Sequence, residues 1–209
     1  MSTEKTVNVA IAGASGAVGE ALVEILQERN FPVGELALLA SPRSEGKRVQ
    51  FNGKSVQIQR LDAFDFSNTQ IGLFSAGGSV SAEFAPKAAA QGCIVVDNTS
   101  HFRNDDDIPL VVSEVNPECV ADYAPRNIIA NPNCSTIQMM VALKPIHDAV
   151  GITRINVATY QAVSGAGASG IEDIDEEESN EYEQEYVHVV GHCRKGVARE
   201  YGEQGLFWQ

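Results

Sequence analysis

The 209-residue sequence contains no apolar stretch long enough for a transmembrane helix, which needs about 18 consecutive apolar residues. Its opening, Met-Ser-Thr-Glu-Lys, lacks the charged-then-apolar layout of a signal peptide. Cysteine is scarce. The four thiols, at 93, 119, 134 and 193, have neither the density of a disulfide framework nor paired metal-ligand spacing. Reduced thiols, a cytoplasmic location and no resident metal are therefore expected. Basic residues are also few, 15 against 28 acidic ones, for a net charge of −13. That balance argues against nucleic acid and anionic membranes as partners. The charge is uneven: nine acidic and no basic residues lie between 172 and 185, and removing them leaves −13 + 9 = −4. This run reads as a solvated helix face or a disordered segment, not as a pointer to the substrate.

The N-terminus carries more information. Val7-Asn8-Val9-Ala10-Ile11-Ala12 is a short β-branched apolar run suited to a buried parallel strand. It leads into Gly13-Ala14-Ser15-Gly16-Ala17-Val18-Gly19, and Leu22, Ile25 and Leu26 then recur at helical spacing. Strand, glycine turn and helix form the context of a dinucleotide-binding motif. Gly13 permits a tight turn, Gly16 lets the backbone approach a pyrophosphate, and Gly19 allows close packing of helix on strand. The spacing is G-x-x-G-x-x-G, a variant of the commoner G-x-G-x-x-G. A second strand, Glu35 to Ala40, ends at Ser41-Pro42-Arg43-Ser44. NAD sites usually place an acidic residue there for the ribose hydroxyl. Arg43 flanked by serines, with Lys47 and Arg48 following, suits a 2′-phosphate and NADP; the alternative is a solvated basic loop.

Cys134 is the candidate nucleophile. Asn131-Pro132-Asn133 form a turn, and Ile137, Met140 and Val141 follow at helical spacing, so a helix starts at or just after Cys134. A thiol at a helix N-terminus feels the positive end of the macrodipole, which favours the thiolate. A buried structural cysteine is the competing reading. Further strands are expected at 56–59, 71–75, 93–97 and 128–130, with a helix over 81–91. Alternating β and α elements predict an α/β fold with a Rossmann-like parallel sheet. Ligands in such sheets bind beyond the carboxyl ends of strands. Gly13, Ser41, Ser75-Ala76-Gly77, Asn98 and Cys134 should therefore converge on one crevice.

Taken together, Gly13–Gly19, the Ser75–Gly77 turn, Asp97-Asn98-Thr99-Ser100-His101-Phe102-Arg103 and Asn131-Pro132-Asn133-Cys134-Ser135-Thr136 resemble aspartate-semialdehyde dehydrogenases. Tyr160-Gln161-Ala162-Val163-Ser164-Gly165 extends the resemblance, which runs from about residue 6 to about 167. It implies NADP-dependent reductive dephosphorylation of aspartyl-4-phosphate to aspartate semialdehyde and phosphate, in lysine, threonine and methionine biosynthesis. It assigns Cys134 as the nucleophile that forms a thioester and Gln161 as its positioning partner. Arg103 and Asn133 become binders of the substrate phosphate. Gly13, Ala14, Ser15, Gly16, Ala17, Val18, Ser41, Arg43, Ser75, Ala76, Gly77, Asn98, Ser164 and Gly165 become NADP contacts. Arg103 also makes physical sense as a guanidinium fork for phosphate, although it could instead balance Asp105-Asp106-Asp107.

After Gly167 no family motif is apparent. The expected organisation is an NADP-binding domain over 1–132 and an incomplete α+β catalytic and dimerisation domain over 133–209. In the family, the latter supplies a histidine acid/base, a carboxylate-binding arginine and most of a homo-oligomeric interface. The chain alone is thus expected to show at most trace turnover; a non-catalytic nucleotide-binding fragment or paralogue is the alternative. His188, His192 and Cys193 could substitute for an acid/base or bind metal, but the valines at 187, 189 and 190 favour a strand there. Leu206-Phe207-Trp208 is either an exposed apolar scrap or a docking anchor. The strand near 155–158 is expected to lack partners, leaving an aggregation-prone edge.

Overall fold

In the computed structural model, residues 6–158 are described, together with the backbone of short strands at 188–189, 198–201 and 205–208. The apolar run at the start forms β1 (Val7–Ala12), followed by α1 (Ala17–Glu28) and β2 (Val33–Ala40). A hairpin of β3 (Arg48–Phe51) and β4 (Lys54–Arg60) comes next, then β5 (Ile71–Phe74), α2 (Gly78–Ala90), β6 (Ile94–Asp97) and β7 (Ile128–Ala130). The seven strands form one sheet in the order β3-β4-β2-β1-β5-β6-β7. Every pairing is parallel except β3 with β4. Of the basic stretch after β2, Arg48 enters β3 and donates to the Ser55 hydroxyl across the hairpin, 2.8 Å away, while Lys47 lies in the exposed connection.

β1 is central because it is apolar on both faces. Val9 and Ile11 pack with Val23, Leu38 and Ile58 on one side. Ala10 and Ala12 pack with Phe74, Ala85, Ala88 and Val95 on the other. Helices cover both faces, which is the condition for a buried parallel sheet. Alanines on α2 let it approach the sheet closely; Ala85 and Ala88 are fully buried. β1 is flanked by β2 on one side and β5 on the other, so the direction of winding reverses at its carboxyl end. That topological switch point is where open α/β sheets form their crevice. Beyond β7, Leu110 bridges to Ala130 in parallel and covers part of the outer edge.

After β7 the chain enters α3 (Cys134–Val150). Its Met140 is buried with Val112 and Val115, and Ile137, Ile155 and Val157 pack against them. Residues 155–156 form β8 (Ile155–Asn156), which is not left unpaired. It pairs antiparallel with β9 (His188–Val189), in a small sheet with β10 (Ala198–Tyr201) and β11 (Gly205–Trp208). The strand reading around His188 therefore holds, and Leu206 to Trp208 lie in a paired strand. His192 and Cys193 lie outside the described residues, as does the acidic run.

Candidate active site

A crevice of about 750 Å³ opens at the carboxyl ends of β1, β2, β5 and β6 and at the start of α3. The glycine turn forms its floor. Gly13 has φ of +92° and its N–H donates to Leu39 O at 2.9 Å. A β-carbon there would lie 2.7 Å from Ser75 O, so the turn can approach the neighbouring strand end only without a side chain. Gly16 is the N-cap of α1, which no side chain caps. A β-carbon on Gly16 would meet only Gly13 O, at 3.5 Å, so the protein itself does not demand glycine there. The space that a side chain would fill belongs to the crevice. At Gly77, the N-cap of α2, φ is +95° and a β-carbon would meet nothing within 4 Å. Two helix N-termini thus face one cavity across bare backbone. That arrangement fits the phosphates of a dinucleotide, because helix N-termini present amide N–H groups and positive partial charge.

The opposite wall carries the thiol. Cys134 is the first residue of α3 and is exposed to the crevice. Asn133 caps the helix, its side-chain oxygen accepting from Ser135 N–H at 2.8 Å. The Asn side chain thus fixes the turn that presents the thiol. Cys93 and Cys119 are buried, and burial pushes the Cys93 thiol up to about 12. Arg103 is half-buried beside Cys134. It donates from Nε to Asn131 O at 3.0 Å and from a terminal nitrogen to Asn98 O at 3.2 Å. These bonds tie Arg103 to the ends of β6 and β7. Of the acidic run beside it, Asp107 pairs with Arg126 at 2.8 Å. Asn98 accepts at its side-chain oxygen from the Asn131 amide at 2.7 Å, which couples it to the turn before Cys134.

Gly13, Ser15, Gly16, Ala17, Val18, Ser41, Ser75, Ala76, Gly77, Asn98, Arg103, Asn133 and Cys134 all line the crevice, as anticipated. Ala14 is buried behind the turn. Arg43 is exposed on the short helical turn Pro42–Ser44 and does not itself line the cavity. Gln161, Ser164 and Gly165 lie outside the described residues. Several lining residues were not anticipated: Ala40, Pro42, Leu61, Asp62, Val80 and Phe84. Val80 and Phe84 sit one turn apart after Gly77, a spacing that the alanine-rich helix made hard to notice. Leu61 and Asp62 follow β4, whose place beside β2 depends on the unforeseen hairpin. Asp62 receives two hydrogen bonds from Arg60, at 2.9 and 2.7 Å, which hold its carboxyl below the usual carboxylate range.

Residues 8–123 match the family model described as "Semialdehyde dehydrogenase, NAD binding domain", and residues 143–198 match "Semialdehyde dehydrogenase, dimerisation domain". The second match carries the likeness past Gly167, where no motif was apparent. An aspartate-semialdehyde dehydrogenase 2 of Vibrio cholerae is 68% identical over 167 residues, covering 80% of this chain and 50% of the relative. The Bacillus subtilis aspartate-semialdehyde dehydrogenase is 49% identical over 167 residues, covering 80% of this chain and 48% of the relative. Among solved structures, Vibrio cholerae aspartate semialdehyde dehydrogenase II superposes with a TM-score of 0.81 at 54% identity, covering 91% of this chain and 61% of that one. A Candida albicans aspartate semialdehyde dehydrogenase, solved with NADP, has a TM-score of 0.65 at 25% identity, covering 81% and 55%. The chain spans about half the length of the curated relatives it matches. Among the described residues no helix is long and apolar enough to cross a membrane.

Proposed function

The chain belongs to the semialdehyde dehydrogenase family, and from that premise we propose that it serves the NADP-dependent reductive dephosphorylation of L-aspartyl-4-phosphate to L-aspartate 4-semialdehyde in the cytoplasm. The observation that carries this reading is one crevice holding both an exposed thiol at a helix N-terminus and a bare glycine turn at the topological switch point. The Cys134 sulfur attacks the acyl carbon, the carbon–oxygen bond to phosphate breaks, and inorganic phosphate leaves with the electron pair. A thioester on Cys134 remains. NADPH, when bound, supplies the hydride that reduces that thioester carbon. The carbon–sulfur bond then breaks, releasing the aldehyde and regenerating the Cys134 thiolate.

The helix-start position presents the Cys134 sulfur to the crevice, where the acyl carbon must sit for attack. Arg103 and Asn133 hold the phosphate of the substrate beside the thiol; Arg103 is pre-positioned for this by its two carbonyl partners. The backbone of Gly13–Val18 and the Ser75–Gly77 turn receive the nucleotide phosphates, and Asn98 extends that wall toward the thiol. Ser41 and Arg43 take the 2′-phosphate. No acidic residue ends β2, and Asp62, the acid that lines the crevice among the described residues, is already clamped by Arg60. Gln161, Ser164 and Gly165 complete the acyl and nicotinamide ends. A nucleotide domain over 1–132 and a catalytic and dimerisation domain over 133–209 are supported by family matches that stop at 123 and resume at 143. The partners are small molecules and a second copy of the chain, joined through the dimerisation domain; nucleic acid is not among them.

The test is phosphate-dependent reduction of NADP by aspartate semialdehyde, followed by absorbance, with Cys134→Ala as control. Turnover that disappears in Cys134→Ala supports the proposal. NADPH binding with thiol acylation but without turnover would assign the chain only the nucleotide and acyl-transfer part of the reaction. A chain that neither binds NADPH nor is acylated at Cys134 would overturn the reading.

A further inference from the structure

Asp97, the last residue of β6, is fully buried, and so is Ser81. The carboxylate accepts from the Ser81 hydroxyl at 2.6 Å on one oxygen and from the Thr99 hydroxyl at 2.7 Å on the other. Those are the carboxylate's hydrogen bonds among the described residues, and both donors are neutral. Burying a carboxylate with only neutral hydroxyls as partners is costly. Nothing in the apolar packing requires an acid here: the neighbouring strand residue Val95 and the helix residue Ala85 are fully buried hydrocarbons.

The two hydroxyls come from different elements beside the crevice, one from α2 and one from the loop after β6. Ser81 sits in the first turn of α2, where its N–H donates to Gly77 O at 3.0 Å. Gly77 is the nucleotide-side residue with open space above it. Thr99 sits in the loop that follows Asn98 and leads to Arg103, and its hydroxyl also accepts from His101 N–H at 3.3 Å. The main-chain oxygen of Asp97 accepts from Asn131 N–H at 2.8 Å, three residues before Cys134. One residue thus ties the turn that carries the glycine wall, the loop that carries Asn98 and Arg103, and the approach to the thiol.

We infer that Asp97, through Ser81 and Thr99, is a positioning residue that sets the registration between the nucleotide wall and the thiol wall of the crevice. It touches neither substrate nor nucleotide. The inference rests on the reading of the crevice as a shared nucleotide and thiol site. The directionality of the bonds makes the carboxylate specific. Both hydroxyls donate to it, and Thr99 then accepts from His101. An amide at 97 would have to donate to one of them, turning that hydroxyl round and leaving its proton without the carboxylate oxygen as acceptor. Transfer of hydride to an acyl group demands close alignment, and misplacement by an ångström costs about 100-fold. Either wall could keep its own binding function while the pair lost its alignment.

The experiment uses the full chain and needs no turnover. The rate of Cys134 alkylation by iodoacetamide is measured by peptide mass mapping with and without saturating NADPH, and NADPH affinity by fluorescence. The wild-type chain is expected to show slower alkylation when the nucleotide fills the shared crevice. In Asp97→Asn and Thr99→Val that protection should fall by about fivefold or more, while nucleotide-free alkylation and NADPH affinity stay within about twofold. Thr99→Ser should restore it, because the hydroxyl returns without the methyl group. A general loss of structure would instead move affinity and alkylation together, and Thr99→Val, which keeps the carboxylate in place, serves if Asp97→Asn does not fold. Full protection retained in both variants would overturn the inference alone. A wild-type chain with no protection by NADPH would overturn the shared-crevice reading, and the inference with it.

Discussion

Replacing Gly19 by alanine pits helix propensity against packing, and the structure predicts which wins. Gly19 lies inside α1 and is buried. In an exposed helix interior, Gly→Ala is stabilising by about 1 kcal/mol. Here a β-carbon would overlap Gly13 O and lie 2.7 Å from Ala14 Cα and 2.9 Å from Gly13 C. All three are backbone atoms of the glycine turn, so relief requires moving α1 away from β1 instead of rotating a side chain. Overpacking of this kind costs about 3 kcal/mol at the upper end of the usual range. The net destabilisation is therefore about 2 kcal/mol, a factor of roughly 30 in the folded-to-unfolded ratio. Gly16→Ala is the matched contrast, since its β-carbon meets only one atom at 3.5 Å, with φ of −97°. As a change at the N-cap it should cost no more than about 1 kcal/mol, yet weaken NADPH binding because the methyl group enters the crevice. Urea unfolding and NADPH fluorescence titration on both variants provide the assay. A Gly19→Ala chain as stable as wild type would refute the close-packing argument, and undiminished NADPH binding by Gly16→Ala would refute the phosphate cradle.

Three further outcomes are expected. Iodoacetamide should modify Cys134 in the native chain and leave Cys93 and Cys119 intact until denaturant is added, by mass mapping; early modification of Cys93 would contradict its burial. The Cys93 thiol is pushed up to about 12 in the folded chain from an ordinary 9.0. The unfolded chain therefore loses that proton first, and stability contributed by Cys93 is present below pH 9 and declines as pH rises toward 12. Urea midpoints across that range should fall less steeply for Cys93→Ala than for wild type. Arg103→Lys keeps the charge but cannot reach both the Asn98 and Asn131 carbonyls with a planar fork. Phosphate affinity, read as protection of Cys134, should drop by about 10-fold; an unchanged affinity would remove Arg103 from the phosphate site.

Much of the site was legible because its chemistry is local. Val7–Ala12, the three glycines and the apolar spacing of α1 are contiguous, so strand, turn and helix can be read in one pass. The same holds for the thiol: a turn of Asn131-Pro132-Asn133 before Ile137 and Met140 places Cys134 at a helix start with no knowledge of the rest of the fold. The rule that ligands gather at strand carboxyl ends then placed Ser41, Ser75, Gly77 and Asn98 beside these two segments. What was hidden depended on residues distant in sequence. The hairpin of β3 and β4 carries short, mostly exposed strands of mixed polarity, and its position beside β2 brings Asp62 to the crevice. β8 looked unpaired because its partner lies more than thirty residues away.

By itself, the sequence determined the alternation of parallel strands and helices, the glycine turn, the thiol at a helix start and a net charge of −13. These follow from backbone sterics, hydrophobic period and composition, which act between near neighbours. Only the tertiary structure decided that Arg103 is braced by carbonyls from two strand ends and that Asp97 sits buried with Ser81 of α2 against one of its oxygens. A side chain's partner is set by which strands lie side by side. That adjacency is chosen by the burial of the whole sheet, and no single segment encodes it.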